Sequence, residues 1–177
     1  DDKNVYDKLL QMRNLDFTSE KRFHHDNFYW NYRISGLQAA LGKSQINDMD
    51  KTIKNKINQG NYYQELLKDQ EDLIQLPLKE ANGVENNYWV FGILLKKENI
   101  REKVTEELYK EGIETRPFFW PLHLQNALLR GNESNDRLIV SENLGANGFY
   151  IPMGEHVNKK TQKFITSNLI NSVNKNS

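Results

Sequence analysis

Two short segments of this chain carry side chains able to bind an anion or a polar ligand. In Trp30-Asn31-Tyr32-Arg33-Ile34-Ser35, an amide and a guanidinium stand two residues apart just before a helix start, where both can hydrogen-bond a phosphate or carboxylate. A loop arginine paired with a carboxylate would look the same. In Arg116-Pro117-Phe118-Phe119-Trp120-Pro121-Leu122-His123, two prolines stiffen a segment leaving a strand end, with one cation and one imidazole spaced along aromatics. A packed aromatic corner would use the same residues. His24-His25 lies beside Asp26 without a second ligand cluster and reads as surface or interface, so no metal site is expected. Asn132-Glu133-Ser134 reads as a turn rather than a glycosylation site. A glycine-rich phosphate loop, a paired-His metal spacing and a G-x-S-x-G nucleophile turn are all absent from the sequence.

The elements that must position these segments follow from periodicity. Val5, Leu9 and Met12 recur at helical spacing, and a polar, aromatic, aperiodic loop runs from Asn14 to Arg33. Ser35 and Gln38 form a capping box opening a helix whose small residues, Ala39, Ala40 and Gly42, would let another backbone approach. Ile46, Met49, Ile53 and Ile57 carry helical spacing on to about Asp69. From Leu73 the pattern changes: Leu73 to Pro77 and Tyr88 to Leu95 read as strands, the second buried on both faces. Asn99 is expected to cap a helix with Ile100, Val104 and Leu108 inward, stopped by Gly112 before a strand Ile113-Glu114-Thr115. A helix around Arg137 to Leu144, a strand Phe149-Tyr150-Ile151 and a last helix through Phe164 and Val173 complete the order. Residues 1–70 are expected as a helical connector and 71–177 as a small α/β domain.

Bulk composition narrows the function classes. The 177 residues hold 24 basic and 24 acidic side chains, so no net field draws a polyanion or a membrane surface. No nucleic acid or membrane partner is expected. The absence of cysteine removes disulfides, thiolate metal sites and a thiol nucleophile, which suits a cytoplasmic location. The chain opens on Asp1 and runs straight into a helical pattern, as a sequence entered partway would.

Three separated runs, in order, resemble the motifs of the DegT/StrS-type sugar aminotransferases, which depend on pyridoxal 5'-phosphate (PLP). They are Phe28 through Gly42, Gly112 through His123, and Gly148-Phe149-Tyr150-Ile151-Pro152-Met153-Gly154. The resemblance spans essentially the whole chain, and the second run is worded most like the GDP-perosamine synthases of that family. Trp30, Tyr29 and Asn126 depart from the usual pattern.

The resemblance implies the C-terminal part of a fold-type I aminotransferase, an α/β fold of connector helices and a small domain with a short, mainly antiparallel sheet. It implies a homodimer, a nucleotide-sugar substrate and an amino-acid donor. The expected reaction aminates the 4-keto carbon of a nucleotide-linked 6-deoxysugar, with glutamate as donor, in surface polysaccharide biosynthesis. Asn31 and Arg33 would reach the neighbouring subunit's PLP phosphate, and Arg116 and His123 would line the substrate side. The PLP-binding lysine would lie upstream of Asp1, leaving this segment without a catalytic residue of its own. Two alternatives stay open: a sugar dehydratase of the same family, and a non-catalytic dimerisation module.

Overall fold

A computed structural model describes residues 1–17, 23, 25–129 and 137–177; His24 and the Asn132 turn lie outside them. The chain divides into two compact units, Asp1–Met49 and Asp50–Ser177.

The first unit holds α1 (Lys3–Arg13) and α2 (Gly36–Ile46). Asp2 caps α1 by accepting the N–H groups of Asn4 and Val5. The expected box opens α2: Ser35 Oγ accepts the Gln38 N–H while Gln38 Oε1 accepts that of Ser35. None of the residues of α2, the small ones included, is buried.

In the second unit, α3 (Met49–Leu67) leads to β1 (Ile74–Gln75), β2 (Glu80–Ala81), β3 (Val84–Glu85) and β4 (Phe91–Leu95). Then come α4 (Arg101–Lys110), β5 (Arg116–Pro117), a 3-10 turn (Leu122–Leu124), α5 (Asn126–Leu129), α6 (Ile139–Asn147), β6 (Gly148–Ile151) and α7 (Lys159–Asn176). The main sheet has the order β1-β4-β6-β5 with every pair antiparallel, so β4 and β5 run the same way on either side of β6. One face is the core: Ile74, Phe91, Ile93, Leu95, Phe149 and Ile151 pack with Tyr63 and Leu67 of α3, Val104 and Leu108 of α4, and Ile165, Leu169 and Val173 of α7. Each such side chain, fully buried, is worth about 1.5–3 kcal/mol of transfer free energy. No helix among the described residues is long and apolar enough to cross a membrane.

Several local expectations are corrected. β4 is buried on one face only, because Gly92 and Leu94 are half-exposed between the buried Phe91, Ile93 and Leu95. Asn99 does not cap α4. It takes a left-handed conformation at φ 61° and its N–H donates to Asn147 Oδ1, while Ile100 begins the helix without a side-chain cap. The strand placed at Ile113 to Thr115 forms instead at Arg116 and Pro117, where Tyr150 and Phe149 offer partners; Ile113 is buried on the way there. Gly112 does stop α4, at φ +77°. The hairpin β2–β3 was not foreseen, although its Asn82-Gly83 turn is the standard signal, with both residues at positive φ.

Candidate functional site

In the first unit, α1 and the loop after it place Asn31 and Arg33. Asp16 sits just past α1 at φ 66° and is almost fully buried. Its carboxylate accepts the backbone N–H groups of Asp26 and Asn27 at 2.7 and 2.6 Å and the side-chain amide of Gln11. Burial pushes its pKa up, but these bonds, led by those from Asn27, hold it below the ordinary carboxylate value. Asp26 and Asn27 are thereby held beside the end of α1. An isolated antiparallel bridge then sets Asn31 beside Asn14.

Asn31 and Arg33 come together there. Asn31 Oδ1 accepts the Arg33 backbone N–H at 3.1 Å and its Nε at 3.2 Å, and Arg33 Nη1 donates to Asn14 Oδ1 at 3.3 Å. Among the described residues both side-chain partners of the guanidinium are neutral amides, which orient its positive charge without offsetting it. The start of α2 follows two residues later. Its box serves the N–H groups of Ser35 and Gln38, and those of Gly36 and Leu37 find no acceptor among the described residues. A cation and free helix-start amides together can hold a phosphate dianion. Asn14 was not singled out in the sequence, and nothing local to it could have done so.

In the second unit, Phe118 fixes the path of the other segment. Its ring lies over the open face of the sheet, 4.7 Å from the Tyr150 ring, above Gly92 and Gly148, and its N–H donates to Gly148 O. Arg116 pairs across the sheet edge with Tyr150 and is exposed; its Nη2 meets Glu114 Oε1 at 3.2 Å, an exposed pair of small energetic weight. His123 stands on the 3-10 turn beyond Pro121, largely buried, with Nε2 3.2 Å from Glu142 Oε1. Arg116 and His123 thus engage different carboxylates, and Asn31 and Arg33 belong to the other unit.

On the open face of the sheet a hollow of about 420 Å³ is lined by Gln75, Pro77, Trp89, Gly92, Phe118 and Tyr150, and by none of the four expected site residues. A second hollow of about 520 Å³, lined by Lys51, Asn55, Gln59, Tyr62, Asn158 and Lys159, includes none of the expected site residues. The end of the third motif ties elements together: Pro152 O accepts the Tyr63 hydroxyl at 2.9 Å, and Gln59 donates to Gly154 O and Val157 O. His25 Nδ1 contacts Leu15 O at 2.7 Å.

Against known proteins, residues 1–170 match the model of the DegT/DnrJ/EryC1/StrS aminotransferase family. GDP-perosamine synthase of Escherichia coli O157:H7 is 30% identical over 151 residues, covering 85% of this chain and 40% of that protein. The GDP-perosamine synthase of Vibrio cholerae is 36% identical over 124 residues, covering 67% and 32%. This chain therefore spans about 40% or less of the length of these relatives. A solved structure described as a sugar aminotransferase, Spr1654 of Streptococcus pneumoniae in its PLP form, superposes at TM-score 0.85 with 15% identity, covering 99% of this chain and 45% of that one.

Proposed function

The chain belongs to the DegT/DnrJ/EryC1/StrS aminotransferase family, and we propose that it is the C-terminal portion of an enzyme that aminates the 4-keto carbon of a nucleotide-linked 6-deoxysugar. The similarity to two GDP-perosamine synthases supports a GDP-linked 4-keto-6-deoxymannose-like substrate, with glutamate as donor. The family's cofactor is PLP, which when bound supplies the electron sink for moving an amino group from an amino acid to a carbonyl. On this reading residues 1–70 form the connector and dimer-interface segment, and 71–177 the small domain.

The observation that carries the proposal is the state of Arg33. A guanidinium held by two amide oxygens beside open helix-start N–H groups fits a phosphate better than it fits the neutral partners it has among the described residues. Arg33 and Asn31 would grip the phosphate of the neighbouring subunit's PLP. Arg116, loosely paired on the sheet edge, would meet the anionic diphosphate of the sugar nucleotide, and His123 would stand beside the sugar.

Subunit mixing tests this. In the full-length protein, an Arg33→Ala subunit combined with one lacking the PLP-binding lysine should regain activity, because one site of the mixed dimer is then intact. No recovery would mean that Arg33 serves its own subunit.

A further inference from the structure

Glu142 makes more hydrogen bonds than a carboxylate at a helix start requires. Its Oε1 accepts the Leu138 backbone N–H at 2.9 Å, and Arg137 Nε reaches Oε1 and Oε2 at 3.3 and 3.2 Å while Nη2 reaches Oε2 at 3.1 Å. His123 Nε2 completes the set at 3.2 Å from Oε1. Arg137 is 77% exposed and His123 only 10%, so the carboxylate faces solvent through one partner and the interior through the other. The bond from His123 first, then those from Arg137 and Leu138, outweigh burial and hold this carboxyl below its ordinary pKa.

An ionised carboxylate can only accept, so the proton of the contact belongs to Nε2. The other nitrogen, Nδ1, is buried with no hydrogen-bond partner among the described residues.

We infer that Glu142 is a positioning residue: by accepting from His123 Nε2 it locks His123 in the tautomer with its proton on Nε2 and fixes the ring's orientation on the substrate side. The second half of this rests on the reading of His123 as a substrate-side residue.

Long-range 1H–15N spectra of this chain report the tautomer of each of its four histidines, assigned by single His→Gln substitutions. His123 should be Nε2-protonated. E142Q should keep that tautomer, because the Leu138 N–H holds the amide oxygen on the same side, whereas E142L should lose it. In the full-length protein E142L should raise KM for the nucleotide sugar severalfold with bound PLP unchanged, and E142Q should restore it. An Nδ1-protonated His123 in the unaltered chain or in E142Q overturns the inference even where E142L fails to fold, as does an unchanged tautomer in a folded E142L. A tautomer that moves while KM stays put keeps the hold of Glu142 on His123 and overturns the substrate-side reading; a KM that moves without the tautomer does the reverse.

Discussion

A Cβ added to Gly92 would lie 2.6 Å from Cζ of Phe118. Strand β4 can therefore carry only hydrogen at that position while the ring lies on the sheet. Phe118 in turn directs the chain from Arg116 toward His123, so the glycine and the orientation of the candidate substrate segment are one problem.

Gly92→Ala should destabilise the chain by about 1–3 kcal/mol through overpacking, because the Phe118 ring must give up its seat on the strand and beside Tyr150 to make room for the methyl. Chemical denaturation of the two proteins measures this. The double variant with Phe118→Ala should recover part of the loss, and an additive double variant would show that the two positions do not meet.

The α4–α7 contact should give the chain an acid-labile component. Glu107 accepts from Lys175 at 2.7 Å and from Ser172 at 2.7 Å, and these bonds, the Lys175 one foremost, lower its pKa to about 2. Its folded pKa lies below its unfolded value, so the stabilisation is complete above the ordinary carboxylate pKa near 4.5 and is lost as pH falls toward 2. Glu107→Gln should lower the melting temperature at neutral pH and flatten the melting profile over that acid range. A variant whose profile overlays the parent would remove Glu107 from the account.

Replacing Arg33 should release cofactor. A charge-assisted bond to phosphate is worth about 1.5–3 kcal/mol, so Arg33→Ala in the full-length protein should weaken PLP retention about tenfold or more. Arg33→Lys should restore only part, since an ammonium cannot meet Asn31 and Asn14 with the same planar fork. Equilibrium dialysis followed by absorbance of the bound cofactor gives the ratio directly, and equal retention in all three proteins would detach Arg33 from the phosphate.

The chain should self-associate. Phe28, Trp30, Ile34, Leu37 and Leu41 are all exposed within the first unit, and α2 buries nothing. Sedimentation across concentration should show a rising mean mass, reduced by the pair Leu37→Lys and Leu41→Glu. A monomer at every concentration, with or without the substitutions, would contradict the expectation.

What the sequence alone determined is local. The Ser35–Gln38 box, the inward stripe of Ile100, Val104 and Leu108, and the stop at Gly112 depend on bonds and spacings within a turn or two of helix, and all three stand as read. The three motifs in order sufficed for the family, because they are strings of residues rather than contacts. Tertiary structure decided the rest. β5 forms at Arg116 rather than Ile113 because Tyr150 and Phe149, more than thirty residues further on, supply its partners. Asn99 leaves its expected cap in a left-handed conformation, with its N–H directed to Asn147. Asn14 beside Arg33 and Glu142 beside His123 are each 19 residues away in sequence, with no periodic or capping signal to join them. Register and side-chain partnership across such distances are set by which surfaces bury together, and only the folded chain expresses that.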